Sequence, residues 1–549
     1  MNRRTFFGSS LLGSARPRAN NRGERGTPAP AAGLAAPGLE PYGGAWDRTT
    51  ALHLLRRTVI APTRAEVDQA VAMGLDALVE KLLDDTTPLP GPSPFVGECM
   101  NEGLIAWDSS RVDLSDSFFD ELRRWWYTLM INGGLSLRER MTLFWHNHFP
   151  SDLHLAWDAR HLYIQNQLFR ANALGNFKDL VRQVSTDRGM LLFLSGKYNK
   201  AQWPNENYAR ELMELFTVGI ADNNGNPNYT QADIVEAARA LTGWDWPGYG
   251  ILGDVASNIL SQHDIKDKHV FGGTITGNAD GLPELNRLLD LIFAKEDAAR
   301  YVIRKLYRFF VYTDVTLTPV KPIDPAIEEA IVAPLAADFR AANWDIRVVL
   351  RRLLKSAHFF DAGFMGAVIR SPVDLLVGTL RATAAGAITG NMAEYGTQIA
   401  QDRAKRLGQD LFAPPGVQGW QFHHAWISTT TLPLRRKNTD ELVEETDVNY
   451  IDRATLVFNG PVYRSGTWKM DVLAFAKQFP SFNDPAALVG DICEHLLAFP
   501  ADDSLRARLK NVLVASADYE WSDAPADIQD SRLRAMLRTL MRTSNYQLM

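Results

Sequence analysis

Asn205-Glu-Asn-Tyr-Ala-Arg-Glu-Leu-Met-Glu-Leu-Phe-Thr-Val-Gly219 follows Pro204 and closes on a glycine, the start and stop marks of a helix. Asn207, Arg210, Glu211 and Glu214 recur at i, i+3, i+4 and i+7 and share one polar stripe. Tyr208, Leu212 and Leu215 make an apolar stripe beside it, and Ala209, Met213 and Phe216 a second. A helix apolar on two sides is mostly buried, so its carboxylates must be paired, metal-bound or protonated. The plainer reading is a solvated Glu206–Arg210–Glu214 ladder at i, i+4 spacing, worth ~0.2–0.5 kcal/mol per pair.

Downstream, Ala221 to Tyr229 is dense in Asn, Asp, Gly and Pro and reads as a turn. Thr230 with Asp233 three residues on is a capping box, opening a second helix that runs to Gly243. Two helices joined by so short a loop should pack antiparallel. Whether Glu211 or Glu214 then approaches Glu236 stays open. His263-Asp264 follows in loop-like sequence, where Asp264 would orient His263 as carboxylates do behind metal ligands. Lys266 and Lys268 would serve equally well as solvated charges.

Upstream, Leu137 to His148 is helical until Pro150 drives Phe149 out of the α region. On a continuous helix His146 and His148 sit ~200° apart and cannot share a metal. Only at a terminus that unwinds do both imidazoles turn the same way.

The remaining chain sets broad limits. The formal charge of −6 hides six arginines and one glutamate in residues 1–25, a local +5 that leaves −11 on the body. An acidic body argues against a nucleic-acid partner. Cys99 and Cys493 are too few for a disulfide framework or a cysteine metal site. Asn2-Arg-Arg-Thr-Phe-Phe7 ahead of a short apolar run resembles a twin-arginine export signal over residues 1–15, with a disordered basic tail as the alternative. Periplasmic or secreted localisation is the expectation. Residues 16–44, rich in Pro, Ala, Gly and Arg, read as a disordered linker. No other window is apolar enough for a membrane span. From Asp47 onward helical periodicity dominates and strand alternation is rare. The predicted fold is therefore all-α, with a main helical domain over 45–439, a smaller C-terminal helical region over 440–549, and few or no strands. Five acidic residues between Asp440 and Asp447 mark an exposed joint.

Several of these segments together resemble a bacterial family called domain of unknown function 1800. Met141-Thr-Leu-Phe-Trp-His-Asn-His-Phe149 is similar to its Trp-His-x-His-Phe motif, and Asn205 to Gly219 to its signature helix. Tyr229 to Trp244, His263-Asp264 with Lys268 and Gly272, Phe412 to Trp420, and Ser544 to Gln547 also match. Leu54 to Pro62 lacks the family's usual glycine, and Phe271 stands where leucine is common. The resemblance implies a large helical protein, commonly exported, whose genes often neighbour those of a sulfatase-like family. It implies no reaction, so no catalytic residue is carried over by matching.

Two functions remain on chemical grounds. The first is an exported hydrolase. His146, His148, His263 and Asp264 would hold a divalent metal, while Glu206, Arg210, Glu211 and Glu214 would do acid/base work. Asn205, Asn207, Glu236 and Lys268 would complete the polar surround. The second is a helical scaffold, partner of an exported sulfatase-like enzyme, in which the same residues are internal braces.

Overall fold

The computed structural model describes residues 38–91, 112–156, 159–246, 256–312, 323–421, 423–451, 463–515 and 520–549. The expected signal, residues 1–15, lies outside them, as does Cys99. Side-chain caps open many of the helices. Asp47 and Thr63 form capping boxes before Arg48–Thr58 and Arg64–Met73, and Ser371 does so before Pro372–Ala382. Thr230 caps Gln231–Ala240 with Asp233 at N3, as the spacing predicts.

Among the described residues the only sheets are three two-stranded hairpins. The fold is all-α in character, as expected. One hairpin pairs Lys268–Val270 with Gly273–Ile275 where the sequence reads as loop. Phe271 and Gly272, both at positive φ (52° and 73°), form its two-residue turn. The longest hairpin pairs Thr446–Ile451 with Tyr463–Trp468.

Residues 37–549 cluster as one unit, with two large apolar cores. The first gathers helices from Arg48–Thr58 through Ile346–Leu354, including the signature segment. The second joins Val112–Ile131 and Pro372–Ala382 to the C-terminal helices, so its members lie on both sides of residue 440. The Arg138–His148 helix feeds both, through Met141, Phe144 and Trp145 on one side and Leu143 on the other. The acidic run near 440 is not an exposed joint. Asp440 pairs with Arg542, Glu441 with Arg403 and Glu444 with Arg538, stitching it to neighbouring helices. Within residues 38–44, read from sequence as linker, Leu39 and Tyr42 pack on the first core: Tyr42 donates its amide to Lys355 O and sets its ring at a tilt against Phe360, centroids 4.4 Å apart.

Candidate functional site

The signature segment is not one regular helix. Asn207–Glu211 is α-helical, and Leu212–Thr217 winds as a π-helix. Val218 and Gly219 both donate to Met213 O, which ends the segment. Gly219 has φ +77°, and a Cβ there would lie 2.6 Å from the Tyr301 ring, so only glycine fits. Helices leave their last carbonyls without partners, and here side chains supply them. Leu215 O accepts from Tyr301 Oη (2.9 Å) and Lys305 Nζ (2.8 Å), while Phe216 O accepts from His148 Nε2 (2.9 Å).

On the outer face the Glu206–Arg210–Glu214 ladder forms as read. Arg210 lies 2.9 Å from Glu206 and 3.6 Å from Glu214. Gln231 reaches both Glu206 and Arg210, tying the segment to the next helix. Tyr229 donates its phenol to Glu214. Burial, then that bond, hold the phenol protonated far above its usual range. Asn205 and Asn207 have structural duties: Asn205 Oδ1 takes the Asn207 amide, and Asn207 Nδ2 donates to Leu194 O.

Glu211 differs from every carboxylate around it. It is part-buried and has no hydrogen bond or ion pair within the described residues. Burial, then the neighbouring Glu214, push its carboxyl up to about 7, with Arg210 opposing. Two carboxylates three residues apart share a face, and one of them is left to hold a proton near neutrality.

The histidines do not join this face, and the expected metal set is not assembled. The Arg138–His148 helix stays α-helical through His148, so the two imidazoles point apart. His146 turns into Trp126, Phe412 and Trp420 and accepts the Phe412 amide at Nε2 (3.1 Å). Its buried Nδ1 has no partner, and burial drives its pKa down to about 3. His148 turns the other way, to Phe216 and Lys305. His263 donates Nδ1 to Thr242 O (2.8 Å) and places Nε2 3.3 Å from Glu284 Oε1. Asp264 does not orient it, because Arg239 takes that carboxylate at 2.8 Å. Glu236 also pairs with Arg239 and accepts the His269 amide, away from Glu211 and Glu214. Lys268 is no solvated charge: it is fully buried and bonded to Glu284 and Asp264 O. Among the described residues no three His, Cys, Asp or Glu side chains form a group able to hold a metal.

Four contributors escaped the sequence reading. Tyr301, Lys305 and Arg308 fall at i, i+4, i+7 on Glu296–Phe310, a stripe visible in the sequence but unremarkable without its partner. Burial, then Arg308, push the Lys305 ammonium down to about 7. Glu284, the fourth, was hidden in the ordinary amphipathic run of Gly281–Ala294.

The model of the family described as protein of unknown function (DUF1800) matches residues 53–548. The chain belongs to that family. No curated protein and no solved structure matches it. The signature segment, the Trp-His-Asn-His helix and the His263 loop thus all fall within the family's span. No helix of the described residues is long and apolar enough to cross a membrane.

Proposed function

We propose that this protein is an exported hydrolase working by acid/base chemistry at Glu211. One observation carries the reading: Glu211 is a part-buried carboxyl with no hydrogen bond or ion pair among the described residues, poised near 7 beside a carboxylate already held by Tyr229 and Arg210. A carboxyl poised near the working pH is the kind that donates and recovers a proton within one cycle. Glu214 keeps the field negative beside it, and Arg210 would meet a developing oxyanion. The π-turn that follows Glu211 supports the same reading, since these turns concentrate at functional sites. The reading rests on the carboxylates, because among the described residues no three His, Cys, Asp or Glu side chains gather into a group able to hold a metal.

The scaffold reading, partner of an exported sulfatase-like enzyme, is favoured by a different observation. Glu236, Arg239 and Asp264 form a closed set of ion pairs, and His263, Lys268 and Glu284 form another. Wild type and Glu211→Gln should be assayed on chromogenic carboxylic, phosphate and sulfate esters and glycosides. Turnover with an ionisation near 7 that vanishes in Glu211→Gln supports the hydrolase. No turnover, with a stoichiometric partner retained from the periplasm, favours the scaffold.

A further inference from the structure

Three guanidiniums in the interior share the field of Asp374. Arg57 and Arg435 are fully buried, and Arg140 is 1% exposed. Arg140 pairs directly with Asp374. Asp374 also acts on Arg57 and Arg435, while Arg140 repels the first and Arg370 the second. Burial, then this repulsion, lower both arginines to about 9. Nor are their donors satisfied. Arg57 Nε and Nη1, Arg435 Nη1 and Arg140 Nε are buried without partners. Buried positive charge in excess of its counter-charge is costly, and an anion relieves it.

A cleft of about 30 Å³ opens where Arg140 meets Asp374, walled also by Asn147, Ser371, Gln409 and Trp420. Trp420 is 4% exposed, and its Nε1–H, a donor only, has no partner. Asn147 fixes that residue from both sides, accepting its amide (2.6 Å) and donating to its carbonyl (3.2 Å). Gly419 makes this seating sterically feasible: at φ +71°, a Cβ would come within 2.3 Å of Asn147 Oδ1. Around the same loop Phe412 and His423 sit at φ 64° and 60°, left-handed without being glycine. Backbone held in such regions collects at ligand clamps.

We propose that this cleft binds a small oxyanion, a carboxylate or a phosphate, through Arg140 Nε–H and Trp420 Nε1–H. The groups without partners are all donors, so the complement is an acceptor. Water would accept these bonds but leave the charge uncompensated. A charged guanidinium N–H donates strongly to carboxylate and phosphate oxygens. The space holds on the order of two water-sized groups. That admits the anionic head of a ligand, not a whole sugar or nucleotide.

The test is calorimetric titration of the full chain with acetate and with inorganic phosphate, at constant ionic strength set with chloride. Saturable one-to-one binding of either is expected. Acetate alone identifies a carboxylate ligand, phosphate alone a phosphorylated one. Trp420→Phe keeps the ring and removes the N–H, and should weaken binding at least about tenfold. Asp374→Asn removes the competing carboxylate and should tighten it. Heats no larger than chloride's overturn the proposal, as does Trp420→Phe binding as tightly as wild type. If either variant fails to fold, the wild-type titration decides.

Discussion

Lys305 donates its Nζ to His148 Nδ1 at 3.1 Å, a bond between two groups that are both cationic when protonated in water. The bond fixes the tautomer. His148 Nε2 must carry the ring proton, because it faces the Phe216 carbonyl, so Nδ1 offers a lone pair. The imidazole is neutral, and burial, then Lys305, hold its pKa well below the usual value. Lys305→Met should therefore leave the His148 ring neutral but strip a donor from Leu215 O. Loosening of the π-segment, read as faster amide exchange at Val218 and Gly219, is the expected outcome. Unchanged exchange there would remove Lys305 from the account.

His53, His146 and His495 are also buried and held near 3, against an ordinary value of 6.5. A lowered folded pKa means the unfolded chain takes up more protons below 6.5, so stability falls as pH drops through that range. Each group contributes at most about 1.4 kcal/mol per pH unit. Glu211 and Asp187, raised to about 7 and 6, act in the opposite sense over part of the window. The four histidines outweigh them, so a net loss on the order of several kcal/mol is expected between pH 6.5 and 5. Urea midpoints across that range check it, and a flat profile contradicts it.

Glu211→Gln separates function from stability by sign. Raising the folded pKa of a carboxyl makes its contribution full below 4.5 and lost as pH rises through 7. Glutamine mimics the protonated form. The variant should therefore be more stable than wild type at pH 8 and no more stable at pH 4.5, while losing activity at both. Equal stability differences at both pH values would mean that Glu211 is not held protonated.

Lys268→Met leaves Glu284 buried with His263 and the Asn278 amide as its remaining partners. Breaking a buried pair from one side is worth about 3–5 kcal/mol. Adding Glu284→Leu should recover much of that. A denaturant series on the three variants tests it, and a double mutant no better than the single would argue against the pairing.

Gly219→Ala combines a left-handed backbone, about 1–2 kcal/mol, with a Cβ 2.6 Å from the Tyr301 ring. Destabilisation beyond the backbone share is expected, together with loss of the Tyr301 bond to Leu215 O. Recovery by Tyr301→Ala in the same chain would confirm the contact as the cause.

Reading along the chain determined what short-range physics controls. Helix starts are written in Thr230 and Asp233, the end of the Trp-His-Asn-His helix in Pro150, and the Glu206–Arg210–Glu214 ladder in i, i+4 spacing. All-α character follows from periodicity in the same way. Tertiary structure alone decided which polar groups remain unspent. Asp264 beside His263 looked like a pair until Arg239 claimed it from another helix, and Lys268 looked solvated until Glu284 buried it. The π-turn was equally invisible, because an extra residue in a helix changes no side-chain type. Glu211 stands out only by subtraction, once every neighbouring charge has found its partner across distances in sequence that no local pattern spans.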